Sequence, residues 1–188
     1  MLSMLGIRLG TILTMTLLMI TLPPNNVITC TRGEHTPNTI VYLVPHSHWD
    51  PDYMKTFNEY SVTVNDIIKS VLALMDSDPQ FKYVMCETIF IKNFWDKYPE
   101  LRSKLLGYVR EGRIEIVGGA WVQPDTNLVC AESLIRDMLI GVKWVEKALG
   151  VRPQCAWQID TFGHAPTLPE LLVGAGYKYV VFNRISNY

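Results

Sequence analysis

Five short apolar runs alternate with longer stretches of helical periodicity, and this alternation confines the chain to a narrow class of folds. The strand candidates are Ile40–Pro45, Phe81–Cys86, Arg113–Val117, Gln154–Ile159 and Tyr177–Phe182. Between the first two, Tyr60–Met75 carries Val64, Ile67, Ile68, Val71, Leu72 and Met75 at helical spacing. Ile91–Arg110 repeats the pattern with Phe94, Trp95, Leu101, Leu105, Leu106 and Val109, interrupted by Pro99. Ala131–Leu149 places Leu134, Ile135, Met138, Leu139, Val142 and Val145 on one side, and Gly150 is positioned to end it. A short helix is expected over Pro166–Gly174. Near-continuous apolar strands joined by helices pack as a parallel sheet, covered on both faces or closed as a barrel, with right-handed crossovers. The expected class is therefore α/β.

The N-terminus breaks this pattern. Leu9–Leu22 carries no charge, Arg8 gives it a positive flank, and Pro23-Pro24 ends it. A membrane-spanning helix needs about 20 apolar residues, so this run is too short for one and fits a secretory signal peptide. The alternative is a signal anchor in contact with the membrane. Residues 23–38, rich in Pro, Asn and Thr, read as a linker. The organisation expected is thus a signal peptide or signal anchor over 1–29 running into linker, then one domain over 39–188. A net charge of −1 leaves no electrostatic case for binding nucleic acid or an acidic membrane surface. None of the four cysteines forms a C-x-x-C pair, so a thiolate metal site is not indicated. An apolar strand run ending close to Tyr188 would leave an uncovered edge, from which a truncated product or the N-terminal part of a larger protein is expected.

Chemistry-bearing residues gather where the strand candidates end. His46, His48 and Asp50 follow the first, Glu87 the second, Trp121 and Asp125 the third, Asp160 the fourth and Arg184 the fifth. In parallel α/β folds the C-terminal strand ends form the reactive face. In extended chain, residues i and i+2 point the same way, so His48 and Asp50 can offer an imidazole nitrogen and a carboxylate to one point. That pair is half of a site for Zn²⁺, which accepts N and O ligands. Taken singly, each motif has a plainer reading: Asp50-Pro51 starts a turn, and Asp160 caps a helix. Together, an acid at one strand end facing a His/Asp pair at another would assemble a metal site from residues 110 positions apart.

Three blocks carry a family resemblance. Val44-Pro45-His46-Ser47-His48-Trp49-Asp50-Pro51, followed by Lys55-Thr56-Phe57, resembles the opening motif of the α-mannosidases of glycoside hydrolase family 38. Gly118-Gly119-Ala120-Trp121-Val122-Gln123-Pro124-Asp125 is similar to that family's intervening block. The segment from Trp157 through Asp160-Thr161-Phe162-Gly163-His164 to Pro169 is similar to its nucleophile segment, and the resemblance spans about residues 40–185.

The resemblance implies an incomplete parallel β/α barrel, about five of seven strands, forming part of a larger multidomain enzyme. It implies that His48, Asp50 and Asp160 hold Zn²⁺ and that Asp160 is also the nucleophile. His46 would orient the ligand pair, while Phe162 and Arg184 match positions near the family's sugar site. Tyr53 stands where the family usually has a stacking Trp and is preceded by Asp52, which alters the subsite. The implied reaction is retaining hydrolysis of terminal α-mannosides in mannose-containing glycans, in N-glycan processing or catabolism. The implied location is the secretory pathway, lysosomal or secreted in preference to a Golgi membrane anchor. The family's general acid and a fourth ligand, a His, would lie past Tyr188 with the remaining C-terminal domains, so this chain by itself is expected to be weakly active or inactive. Two other readings are a metal-dependent polysaccharide deacetylase and a non-catalytic secreted protein with a remnant sugar pocket.

Overall fold

The computed structural model describes residues 40–184, and the signal, anchor and linker readings lie outside these residues. No helix among the described residues is long and apolar enough to cross a membrane.

Helix α1 (Phe57–Ser77) starts on a capping box. The Thr56 hydroxyl accepts from Glu59 N–H, and the Glu59 carboxylate accepts from Thr56 N–H at 2.9 Å, which satisfies two otherwise free amides. Strand β1 (Tyr83–Met85) follows, then α2 (Thr88–Lys97), a 3₁₀ turn over Pro99–Leu101, and α3 (Arg102–Arg110). Pro99 separates the two helices as its missing N–H and fixed φ require. Strand β2 (Ile114–Ile116) leads to α4 (Ala131–Leu149), whose bounds match the periodicity and which Gly150 ends at φ 72°. Strand β3 (Cys155–Gln158), α5 (Leu168–Gly174) and β4 (Tyr179–Phe182) complete the order.

β1 pairs parallel with β2, Tyr83 opposite Ile114, and β3 pairs parallel with β4, Cys155 opposite Tyr179. Past the end of β2 the ladder continues briefly: Val117 N–H donates to Met85 O (2.9 Å) and Gly118 N–H to Cys155 O (2.8 Å), which stitches the two pairs together. One apolar cluster fills the space under α1, α2, α3 and the β1–β2 pair, centred on Phe90, Phe94, Ile91, Leu72, Leu105 and Ile114. A second joins Ala120, Ala156, Leu168, Leu172 and Tyr177. Helix α4 serves both, sending Val145 and Leu149 to the first and Leu134, Met138 and Val142 to the second. Cys86, Val117 and Trp157 form a third cluster where β1, β2 and β3 end.

Two expectations need correction. Ile40–Pro45 does not form a strand. Its contact with the sheet is one ladder step, Val84 N–H to Pro45 O at 2.9 Å and a parallel bridge between His46 and Val84, and residues 40–44 are exposed. Apolar character alone cannot hold a strand whose side chains find no surface to bury against. In place of the about five strands expected of an incomplete barrel, four form among the described residues, and they do not close. Among the described residues they form two two-stranded parallel sheets, whereas closure needs a full ring of tilted, staggered strands. β4 is exposed along its whole length, as the uncovered edge expected near the last strand.

Candidate metal centre

The segment carrying His48 is pinned at Ser47. Tyr83 donates its hydroxyl hydrogen to Ser47 Oγ at 2.7 Å, and Cys86 Sγ lies 3.1 Å from Ser47 O. Trp49, next in sequence, packs against Tyr60 of α1 with ring centroids 5.7 Å apart. The two anchors leave the His48 imidazole half-buried over the end of β1. There its Nδ1 lies 2.8 Å from Glu87 Oε1, and its Nε2 faces two carboxylates, Asp50 Oδ1 at 3.5 Å and Asp160 Oδ2 at 3.6 Å.

Asp160 arrives from the loop after β3, which the block following β2 cradles. With the Gln123 carboxamide oriented to suit its neighbours, its oxygen accepts from Asp160 N–H and Thr161 N–H at 3.0 Å each, and its nitrogen donates to Trp157 O at 3.3 Å. Asp125 Oδ1 accepts from Phe162 N–H at 3.4 Å, and Thr126 Oγ1 from Ala165 N–H at 2.9 Å. Buried Thr161 donates its hydroxyl hydrogen to Gln158 Oε1 at 2.7 Å. Gly118 and Gly119 make the turn into this block at φ 71° and 72°. A Cβ on Gly119 would sit 2.6 Å from Pro153, so both conformation and space demand glycine there. From the loop after β4, Arg184 places Nε and Nη2 on Asp160 Oδ1 at 2.6 and 2.5 Å, leaving Oδ2 toward the imidazole. The same guanidinium lies 4.2 Å from the Phe162 ring centroid.

One ligand atom each from His48, Asp50 and Asp160 lies within 4.8 Å of the other two. Zinc bonds of about 2.0–2.1 Å at tetrahedral angles separate neighbouring ligand atoms by roughly 3.3 Å, close to the spacings around Nε2. That nitrogen is buried and has no hydrogen-bond partner. With Nδ1–H directed at Glu87, the Nε2 lone pair of the neutral ring points at two anionic groups, an arrangement that calls for a positive charge between them. A proton meets the same need: the His48 pKa is raised, mainly by the hydrogen bond to Glu87, with the charges of Glu87, Asp50 and Asp160 adding and burial opposing. The N/O/O donor set and its orphaned imidazole nitrogen fit a zinc ion.

The structure therefore brings together His48, Asp50, Asp160, Arg184 and Phe162. Tyr53 is 75% exposed. The exposed His46 ring lies edge-on to Trp157, centroids 5.3 Å apart, and among the described residues no hydrogen bond joins it to the ligand group. The partner of His48 Nδ1 is Glu87, named above only as a strand-end acid. Gln123 and Thr126 carry no sequence sign of these contacts beyond their place in or beside the Gly118–Asp125 block.

Comparison with known proteins identifies the family of the chain. Residues 38–187 match the sequence profile described as "Glycosyl hydrolases family 38 N-terminal domain". Alpha-mannosidase F of Dictyostelium discoideum is 39% identical over 149 residues, which cover 77% of this chain and 15% of that protein. Alpha-mannosidase 2 of Mus musculus is 36% identical over 148 residues, covering 77% of this chain and 13% of its own length. The chain thus spans about one-seventh of these relatives. Among solved structures, an alpha-mannosidase from Enterococcus faecalis V583 superposes with a TM-score of 0.68 at 28% identity, covering 74% of this chain and 16% of that one.

Proposed function

This chain belongs to glycoside hydrolase family 38, as its N-terminal domain, and from that premise we propose that it supplies the nucleophile and most of the metal site of a retaining, zinc-dependent α-mannosidase. The observation that carries the reading is the convergence of His48, Asp50 and Asp160 ligand atoms within 4.8 Å. Family membership favours glycoside hydrolysis over deacetylation. The domain is read as one arc of a β/α barrel in a longer polypeptide of the secretory pathway, lysosomal or secreted.

His48 Nε2, Asp50 and Asp160 would hold the zinc. When bound, the ion supplies Lewis-acid attraction for neighbouring sugar hydroxyls and favours a distorted ring. Asp160 attacks the anomeric carbon of a terminal α-mannoside. One carboxylate C–O bond forms as the glycosidic C–O bond breaks, and the leaving oxygen takes a proton from an acid outside this chain. Water then cleaves the glycosyl ester, releasing mannose with retained configuration and restoring the Asp160 carboxylate. Arg184 keeps Asp160 Oδ1 oriented throughout, and Phe162 and Tyr53 offer aromatic faces to the sugar.

The test uses the full-length polypeptide. A fluorinated mannosyl reagent should add one glycosyl group to the peptide containing Asp160. Zinc content should fall in His48→Ala and in Asp50→Ala. Label on another residue, or unchanged zinc in both variants, would remove the assignment.

A further inference from the structure

Most charged side chains of the described residues lie at or near the surface. Glu87 is 8% exposed and is the sole Asp, Glu, Lys or Arg among them that is fully buried. Its backbone is also unusual: φ 55° and ψ 82° put a non-glycine residue in the left-handed region. A residue at that conformation persists only where its surroundings insist on it, and such residues concentrate at functional sites. Glu87 occupies the N-cap position of α2, yet its side chain makes no capping bond to the helix. Both carboxylate oxygens are committed elsewhere. Oε1 takes His48 Nδ1–H at 2.8 Å, and Oε2 takes the Cys86 thiol hydrogen at 2.7 Å.

An acceptor on Nδ1 decides which imidazole nitrogen keeps its proton. With Nδ1–H given to Glu87, the neutral ring has its lone pair on Nε2, the atom that faces Asp50 and Asp160. In the more common tautomer of a free imidazole the proton sits on Nε2, where it would obstruct a cation. Cys86 completes the arrangement. Its buried thiol holds Oε2, so the carboxylate cannot swing away from the ring. The strained backbone directs Glu87 inward toward His48 and away from the helix end.

We propose that Glu87 is the positioning residue of this centre: seated by the Cys86 thiol, it fixes the tautomer and plane of His48 so that Nε2 is presented to a divalent cation. Carboxylate–imidazole pairs of this kind raise ligand basicity and typically contribute ten- to a hundredfold in metal affinity. The inference rests on the metal-site reading above, and two measurements separate them. The first needs no metal. In ¹⁵N-labelled, metal-free protein at pH 8, long-range ¹H–¹⁵N spectra should show His48 protonated on Nδ1. Glu87→Ala should shift it toward the Nε2-protonated form, while Glu87→Gln, which still offers an oxygen, should retain Nδ1–H. The second is zinc affinity by competition with a chelator. Glu87→Ala should bind about 10- to 100-fold more weakly, and Glu87→Gln should fall between it and the parent. Wild-type affinity in Glu87→Gln and Glu87→Ala, or a neutral His48 ring with its proton on Nε2 in the parent, overturns the positioning role. If zinc fails to bind the parent, or binds His48→Ala equally well, the metal-site reading fails instead. Should Glu87→Ala not fold by near-ultraviolet circular dichroism, Glu87→Gln decides: affinity equal to the parent refutes the proposal.

Discussion

Two glycines in helix interiors should respond to alanine with opposite signs. Gly141 lies in α4 where the helix meets the turn after β2, and a Cβ there would sit 2.1 Å from Gly119 O and 2.5 Å from both Ala120 C and Trp121 N. Non-bonded carbon contacts settle near 3.5–4.0 Å, so helix and turn would have to part by roughly 1 Å or more. The same contact is tied by Trp121 N–H to Asp137 O and Val122 N–H to Asp137 Oδ1, both 3.1 Å, and separation stretches these bonds. Helix propensity favours alanine by about 1 kcal/mol. Overpacking against backbone costs about 1–3 kcal/mol, and each weakened hydrogen bond adds about 1 kcal/mol. Gly141→Ala should therefore lose about 1–3 kcal/mol net, or about 3–10 °C in Tm for a chain of this size. Gly107 in α3 has nothing within 4 Å of its added Cβ, so Gly107→Ala should gain about 0.5–1 kcal/mol. Urea unfolding followed by circular dichroism and by tryptophan fluorescence would measure both. A Gly141→Ala protein as stable as the parent would refute the claim that the close approach of α4 to the Gly119–Trp121 backbone demands glycine.

Burial raises the Asp137 pKa to about 6, against a usual value near 3.9 for Asp. The native state then holds the extra proton between those values, so this group's contribution is largest below about pH 4 and is lost as pH rises to about 6. Asp137→Asn should flatten that part of the stability–pH profile and stabilise the protein at pH 7 by at most about 3 kcal/mol; a slope that persists in the variant would refute it. Thiol reactivity should separate two cysteines. Exposed Cys130, its pKa lowered by the Ser133 hydroxyl, should react with iodoacetamide at neutral pH, whereas Cys86, its pKa raised by burial and by Glu87, should be labelled only on unfolding. Peptide mapping that found Cys86 modified first would contradict this. In the full-length polypeptide, Arg184→Ala frees Asp160 Oδ1 and should slow mannosyl labelling of Asp160 about 10- to 100-fold, with little recovery in Arg184→Lys, whose ammonium lacks the guanidinium geometry. Unchanged labelling kinetics would show that Arg184 does not orient the nucleophile.

The bounds of α4 and the break at Pro99 were legible from residue order, because apolar spacing and proline act over one or two helical turns. So was the candidate group His48, Asp50 and Asp160, whose nitrogen and oxygen donors suit a metal and which follow apolar strand-like runs. Pairing was not legible. Ile40–Pro45 reads as a strand as well as Phe81–Cys86 does, but a strand also needs neighbours on its edges and faces, and Ile40–Pro45 finds one bridge. The partners within the site were hidden for a related reason. Glu87 meets His48 across 39 positions, Arg184 meets Asp160 across 24, and both Glu87 and Arg184 carry a positive φ that no propensity of Glu or Arg would suggest. Local energetics, written into neighbouring residues, set the helices and the stock of reactive groups. The contacts that turn those groups into one centre depend on where distant segments lie against each other, and that is set by burial and hydrogen bonding over the whole domain.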